Sequence, residues 1–259
     1  SFNGNSHIIQ SLHIEGYNRL GLFGELYENA EISNLTLESV DINGIGDYVG
    51  SLAGHSYRNN ITECQSNGTV IGNDCVGGLV GYNFGYITSC SSNCTVIGND
   101  YVGGLVGYNP MIISSCFSTG ITIGNNYIGG LIGYNMSRIG IKTNYSTGMV
   151  SGNNYIGGLV GGNFGGIITC FSNGKVNGQE NTGGLVGYSK VDSKSSFWDT
   201  ETSGQVTSAE GIGKTTAEMQ DINTYLNAGW DFIGETKSGT KDIWWIDNGV
   251  DYPRLWWEL

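Results

Sequence analysis

The stretch Tyr101–Asn109, which reads YVGGLVGYN, recurs along the chain. Four further copies begin at Val76, Ile128, Ile156 and Thr182, and weaker copies lie at 49–56 and 20–24. The shared leucine stands at positions 22, 52, 79, 105, 131, 159 and 185, so successive steps are 30, 27, 26, 26, 28 and 26 residues. A repeat of this length predicts an array of stacked structural units.

Each repeat contains two short apolar segments separated by turns. One is the glycine-leucine segment, and the other is represented by residues 87–98. Both favour β-branched residues, neither is long enough for a helix, and turn residues such as Gly72, Asn73 and Asp74 bound them. Strands that return once per repeat predict an all-β fold, a right-handed parallel β-helix of about seven coils with about 26 residues each.

The predicted organisation is a β-helix over residues 1–189, with regular repeats over 46–189, followed by a cap over 190–259. Such arrays need a cap because their last coil exposes core and strand edges. All six tryptophans lie in the cap segment, where they are expected to form its core rather than a binding platform. One short helix is predicted there over 216–228, since Thr215 and Glu218 have capping-box spacing and Gly229 suits the position after a helix.

Two positions of the repeat are occupied mainly by tyrosine. Equivalent residues of adjacent coils stack about 4.8 Å apart in a β-helix, so each position forms a column. The two columns contain Tyr82, Tyr108, Tyr134 and Tyr188, and Tyr48, Tyr101, Tyr127 and Tyr155. Stacked aromatic residues either pack as a ladder or offer a surface to sugar rings. These eight tyrosines are therefore the candidate ligand-binding residues.

A turn position of the repeat carries aspartate or asparagine. Its predicted members are Asp47, Asp74, Asp100, Asn126, Asn154 and Asn181. Stacked carboxylate oxygens are ligands that calcium accepts, so Asp47, Asp74 and Asp100 are candidate metal ligands. The stronger interpretation is that tight turns simply use these residue types, and no other cofactor is expected.

Four cysteines share one column, which Asn144 interrupts: Cys64, Cys90, Cys116 and Cys170. Parallel stacked side chains point the same way, which favours buried reduced thiols. A disulfide between neighbouring coils is the alternative, because the spacing of the coils lies within disulfide reach. Catalytic thiol chemistry is disfavoured, since the array contains no histidine after His55.

Charge and hydropathy exclude several classes of function. The net charge is −12 and only 13% of residues are charged, so the chain lacks the basic surface that nucleic acids require. No apolar run is long enough to enter a bilayer as a span. The basic residues of the array are scattered over different columns, which disfavours an enzyme.

The repeated Gly-Leu-Val-Gly units over residues 46–189 resemble the GLUG motif of large secreted and surface proteins of bacteria and archaea. The cap segment also resembles the one that commonly follows such arrays, in Phe197-Trp198-Asp199-Thr200 and Gly229-Trp230-Asp231-Phe232. The resemblance implies a β-helix and an extracellular location. Some family members are immunoglobulin-A-cleaving metallopeptidases with a His-Glu-x-x-His zinc motif, but this chain lacks that motif.

The function expected from these features is that of a secreted or cell-surface adhesive module, which presents a rigid acidic face to a glycan or a surface protein. One alternative is a polysaccharide lyase or hydrolase, or the carbohydrate-binding part of such an enzyme. Another is a subunit that associates end to end into a fibre, because the first residues already resemble the middle of a coil.

Overall fold

The computed structural model describes residues 1–191, 195–236 and 239–259. Its main body is a parallel β-solenoid of about 7 turns with ~26 residues per turn, which confirms the predicted fold class. Equivalent residues pair in register between neighbouring turns, so that Val106 lies between Val80 and Ile132. The right-handed sense of the coil stays a prediction.

The strands are long in the first turns and short in the regular ones. The first turns contain β1 (Phe2–Gln10), β2 (His13–Gly16), β3 (Phe23–Leu26), β4 (Glu31–Gly44), β5 (Val49–Gly50) and β6 (Ala53–Ile71). The next contain β7 (Val76–Gly77), β8 (Val80–Thr88), β9 (Ser91–Ile97), β10 (Asp100–Gly103), β11 (Val106–Asn109), β12 (Ile113–Ser114), β13 (Phe117–Ser118), β14 (Thr122–Ile123), β15 (Asn126–Gly129) and β16 (Ile132–Asn135).

The later turns continue the same ladders, and the segment that follows them has short elements of its own. The strands are β17 (Ile141–Lys142), β18 (Tyr145–Ser146), β19 (Val150–Ser151), β20 (Asn154–Gly157), β21 (Val160–Asn163), β22 (Ile167–Ile168), β23 (Phe171–Ser172), β24 (Val176–Asn177), β25 (Glu180–Gly183), β26 (Val186–Ser189), β27 (Phe197–Asp199), β28 (Ile212–Lys214), β29 (Trp244–Trp245) and β30 (Arg254–Leu255). Only the pair β29 and β30 is antiparallel among the described strand pairs.

The repeated apolar residues face the interior of the solenoid. The shared leucines from Leu52 to Leu185 are completely buried, as are the valines and isoleucines beside them. The glycine pair of the repeat lies where the backbones of two coils meet. A Cβ on Gly103 would stand 2.0 Å from the carbonyl oxygen of Val106, so only a hydrogen atom fits at this position.

Two corners of each coil are built by side-chain-bearing residues in the left-handed region rather than by glycine. One corner column contains Tyr48, Cys75, Tyr101, Tyr127, Tyr155 and Asn181, and the other contains Asn34, Glu63, Ser89, Ser115, Thr143, Thr169 and Ser195. The φ angle of Tyr101 is 58° and that of Ser89 is 53°. This conformation is unfavourable for residues other than glycine, so the stacking of the coils must hold it in place.

The cysteine column follows the second corner and is buried. The Cys64 amide donates to Cys90 Sγ at 3.4 Å, and the Cys116 amide donates to Asn144 Oδ1 at 2.9 Å. Asn144 therefore replaces a thiol as the acceptor for a corner amide of the preceding coil. All six cysteines are free and buried, which agrees with the reduced thiols that the column favoured. Burial raises the pKa of the Cys170 thiol to about 12.

The 28-residue step between Leu131 and Leu159 is explained by one loop. Asn109 pairs with Asn135 across 26 residues, whereas Ser114 pairs with Lys142 across 28. The two additional residues therefore lie within 136–140, where Arg138 and Ile139 are exposed. The insertion leaves the register of both neighbouring strands unchanged.

The single helix predicted over 216–228 is instead two helices, α2 (Thr216–Met219) and α3 (Ile222–Leu226), preceded by an additional helix α1 (Thr200–Ser203). The predicted capping box of Thr215 and Glu218 is present. The helix is divided because the Asp221 side chain accepts a hydrogen bond from the Asn223 amide and starts α3. A 3-10 helix, Trp256–Glu258, lies close to the last residue.

The segment after the repeats covers both the end and the side of the solenoid. Trp198 is in register with Ser172 and joins the solenoid core, where it covers Gly184 at the last turn. We call residues 215–259 the tail. The tail packs along the side of the solenoid against an outward column of aromatic residues: Phe117, Tyr145, Phe171 and Phe197.

Candidate functional site

The first tyrosine column is a stack of nearly parallel rings. The ring centroids of Tyr82 and Tyr108 are 5.1 Å apart, and those of Tyr108 and Tyr134 are 5.3 Å apart, with interplanar angles of 5° and 24°. His55 continues this stack at 5.0 Å from Tyr82, an extension that sequence analysis missed. The signal was available, because His55 occupies the tyrosine position of the preceding repeat.

Gly162 replaces a tyrosine in this column, and Phe164 fills the resulting gap. The Phe164 ring lies 5.3 Å from Tyr134 and 6.0 Å from Tyr188. A Cβ on Gly162 would come within 2.7 Å of the Tyr127 ring, so a larger residue would not fit here without movement. The aromatic column is therefore continuous although its sequence pattern is interrupted.

The second tyrosine column stacks beside the first and at right angles to it. Its rings are nearly parallel to each other, with Tyr101 and Tyr127 5.3 Å apart and Tyr127 and Tyr155 4.5 Å apart. Tyr101 meets Tyr134 edge to face at 5.4 Å and 75°. All eight predicted tyrosines thus form one surface, the tyrosine strip: Tyr48, Tyr82, Tyr101, Tyr108, Tyr127, Tyr134, Tyr155 and Tyr188.

The stacking determines which part of each ring a ligand can reach. Neighbouring rings cover the faces of the central tyrosines, so the ring edges are the parts that reach solvent, and every residue of the strip is half-buried. Burial raises the pKa of Tyr108, and it raises that of Tyr134 to about 12. Both of these phenols are therefore uncharged at neutral pH. Sugar binding by ring faces stays a prediction.

Alkaline pH should destabilise the strip. Because the folded state keeps the Tyr134 phenol protonated to about 12, the unfolded chain releases this proton first, near 10. The stability contributed by the neutral phenol is present below about pH 10 and is lost as the pH rises toward about 12. Thermal unfolding followed by circular dichroism should show a falling Tm over this range, and Tyr134→Phe should fall less steeply. An identical decline in both proteins would contradict the prediction.

A buried asparagine ladder lies immediately after the first tyrosine column. Asn83 Nδ2 donates to Asn109 Oδ1 at 2.8 Å, Asn109 to Asn135 at 3.0 Å, and Asn135 to Asn163 at 2.7 Å. All four side chains are completely buried. The ladder continues into the Glu210 carboxylate, which accepts from Asn163 Nδ2 at 2.7 Å. Sequence analysis missed Glu210, because it lies outside the repeat.

The aspartate turn column forms hydrogen bonds from coil to coil. Asp74 Oδ1 accepts from the Asp100 amide and from Asn99 Nδ2, each at 3.1 Å, and Asp47 repeats this pattern one coil earlier. Asp100 Oδ1 accepts from both the backbone amide and the side-chain amide of Asn126. Among the described residues, no three His, Cys, Asp or Glu side chains form a group that could hold a metal ion. The geometry supports the turn interpretation, and calcium binding at Asp47, Asp74 and Asp100 stays a prediction.

One member of the predicted turn column was wrong. Asn154 pairs with Glu180, whereas Asn181 lies at the corner position of the tyrosine column, with a φ angle of 47°. The error arose because Asn181 matched the residue type of the turn column, although the 26-residue step points to position 180.

An outward column of the solenoid changes character halfway along the axis. In the early turns it contains Thr36, Gln65 and Ser91. From Phe117 onward it is aromatic, and the tail covers that part. The Trp257 ring stacks on Phe117 with its centroid 5.2 Å away. The tail therefore covers the column up to its first aromatic residue. The sequence shows this change, because the residue that follows each member of the cysteine column is polar in the early coils and aromatic in the later ones.

A groove of about 490 Å³ opens at the boundary between the tail and the polar part of this column. We call it the Trp256 groove. Its lining includes Trp256, Asn34, Thr36, Glu63, Gln65 and Ser89. The indole of Trp256 is 51% exposed. The tryptophans of the tail were expected to form cap core, and Trp230 and Trp244 do so, being almost completely buried.

The acidic groups that could suggest an enzyme have structural partners. A second groove of about 250 Å³ contains Asp251, Arg254 and Glu258. Asp251 pairs with Arg254, and Glu258 accepts from the Tyr145 hydroxyl at 2.8 Å and the Leu255 amide at 2.7 Å. Burial raises the pKa of the Glu258 carboxyl. The Tyr145 bond attaches the tail to the solenoid, and the other two contacts lie within the tail.

No protein-family model matches the chain. Its sequence is similar to part of Halomucin from Haloquadratum walsbyi, with 43% identity over 83 residues, which is 31% of this chain and 1% of Halomucin. It is also similar to a protein named "Putative Gly-rich membrane protein" from Evansella cellulosilytica, with 36% identity over 67 residues, or 26% of this chain and 7% of that protein. The matched regions are thus small fragments of both relatives.

The fold is similar to a solved structure, described as a "putative immunoglobulin A1 protease" from Bacteroides ovatus. The TM-score is 0.63 at 17% identity, and the match covers 99% of this chain and 77% of that chain. At this identity the similarity concerns the fold. Across the described ranges, no helix has the length and apolar character needed to cross a membrane.

Proposed function

We propose that this protein is an extracellular structural and adhesive module, a rigid β-solenoid that presents an acidic surface to a glycan or protein partner. The observation that carries this proposal is the tyrosine strip, a half-exposed aromatic surface whose rings hold each other in place along the solenoid axis. Because its members are already ordered, a partner that binds the strip loses little conformational entropy of these side chains.

Three further observations support the proposal. The net charge of the chain is −12, and Asp47 and Asp100 directly precede Tyr48 and Tyr101 of the strip. The resemblance of the repeats to the GLUG motif favours a secreted or cell-surface location, and the similarity to Halomucin and to a Gly-rich membrane protein agrees with it. The carboxylates of the second groove serve structural contacts, which favours binding over catalysis.

Electrophoresis through gels that contain single polysaccharides tests the proposal. We expect at least one glycan to retard the purified protein, and Tyr101→Ala to reduce the retardation. Tyr57→Ala is the matched control, because Tyr57 is a half-exposed tyrosine stacked on Phe84 at 5.3 Å, outside the strip. Equal retardation of the two variants would contradict a role for the strip. Release of reducing ends from the bound glycan would favour the enzyme alternative.

A further inference from the structure

Trp256 differs from every aromatic residue of the tyrosine strip in one respect. Among the described ring pairs, Trp256 stacks on no other aromatic side chain, and its indole is 51% exposed. Because a sugar ring stacks on the face of an aromatic ring and not on its edge, an exposed indole without an aromatic neighbour offers what the stacked tyrosines do not. The Trp256 groove is therefore a stronger candidate for saccharide binding than the strip.

The backbone around Trp256 is held in place on both sides. The Trp256 amide donates to the Ile243 carbonyl at 3.0 Å, and the preceding Leu255 is completely buried. The following Trp257 stacks on Phe117 and donates from its indole nitrogen to the Ser115 carbonyl at 3.1 Å. A fixed backbone lowers the entropic cost of binding, because only the two side-chain torsions of Trp256 are left to be ordered by a ligand.

The opposite wall of the groove is polar. Asn34, Glu63 and Ser89 are successive members of one corner column, and Gln65 lies beside them on the outward face of β6. Their amide, carboxylate and hydroxyl groups supply both donors and acceptors. Since the lining starts at Ser6 and continues over four coils, the groove extends for about 14 Å along the axis at the usual strand spacing.

An exposed indole and a row of hydrogen-bonding groups in one groove match the two kinds of surface of a pyranose ring. The apolar C–H face packs on the indole, and the ring hydroxyls bond to amides and carboxylates. Glu63 in the groove and the net charge of −12 disfavour uronate and sulfated sugars. We infer that the Trp256 groove binds a neutral oligosaccharide, with Trp256 as the stacking platform. This inference rests on the proposed adhesive function and assigns it a site.

Isothermal titration calorimetry with the hexasaccharides of cellulose, chitin, β-1,3-glucan and β-1,4-mannan tests this inference on the full chain. We expect at least one of them to bind. Trp256→Ala should weaken that binding by about tenfold, which is typical of losing a central aromatic contact. Trp256→Phe should restore most of the affinity, because phenylalanine retains an aromatic face. Gln65→Ala should weaken binding by about threefold through loss of one hydrogen bond.

Tyr101→Ala separates this site from the tyrosine strip, and circular dichroism shows whether each variant is folded. Loss of binding in the Trp256 and Gln65 variants, with a smaller loss or none in Tyr101→Ala, would support the groove. Loss in Tyr101→Ala alone would overturn the groove and leave the proposed adhesive function intact. Binding of none of the four hexasaccharides would overturn the groove, and the polysaccharide gels would then decide the proposed function independently.

Discussion

Replacing Asn109 by alanine is expected to lower the free energy of unfolding by about 3–5 kcal/mol, because several buried polar groups lose their partners together. Asn109 accepts from Asn83 Nδ2, donates to Asn135 Oδ1 and donates to the Met111 carbonyl at 2.7 Å. Alanine removes all three contacts and also leaves a cavity. Water cannot replace them easily, since this side chain is completely buried.

Denaturant unfolding of the wild type and of Asn109→Ala measures this effect. Asn93→Ala is the matched control, because Asn93 lies in the same array but is exposed on the solenoid surface. The control should change the free energy of unfolding by less than about 0.5 kcal/mol. Similar values for the two variants would mean that the ladder contributes little stability.

Replacing Gly104 by alanine is expected to destabilise the solenoid by about 3 kcal/mol or more, through overpacking between two coils. A Cβ at this position would lie 2.1 Å from the Gly130 carbonyl oxygen and 2.3 Å from Ser118 Oγ. The carbonyl belongs to the next repeat, between β15 and β16, and Ser118 lies in β13. Relief of the overlap therefore requires the coils to separate locally, and this weakens the hydrogen bonds between them.

Gly166→Ala is the control for this substitution. A Cβ on Gly166 would meet only the Gly140 Cα, at 3.9 Å, which is ordinary van der Waals contact. We expect the control to be neutral or slightly stabilising, because alanine restricts the unfolded chain more than glycine does. Thermal unfolding of both variants compares them directly. A Tm for Gly104→Ala close to that of the control would show that the repeat tolerates a methyl group between its coils.

The regular part of the fold was predictable because every coil repeats the same local pattern. A period near 26 residues places equivalent residues one strand spacing apart, and parallel pairing in register then forms ladders without further information. Val76, Val102, Ile128 and Ile156 form such a ladder. The prediction failed at Asn181, where a match of residue type was given more weight than the 26-residue spacing between equivalent positions.

The tail was less predictable because its contacts are not periodic. Its tryptophans could have closed the end of the solenoid, but the described tryptophan that joins the core of the last turns is Trp198, which precedes the tail. The other buried tryptophans pack on Phe171 and its neighbours along the side. The sequence contained a signal for this face, since polar residues change to aromatic ones after Ser91. That the tail packs on this face depends on contacts between residues that are far apart in sequence.

The sequence by itself therefore determined the solenoid, its period and the members of its tyrosine columns, because these follow from repetition and parallel stacking. Only the tertiary structure decided that neighbouring rings cover the tyrosine faces, that Glu210 accepts the last bond of the asparagine ladder, and that Trp256 faces a polar groove. Those features depend on ring orientation and on a non-repeating segment that folds back across several coils, and no local pattern specifies either.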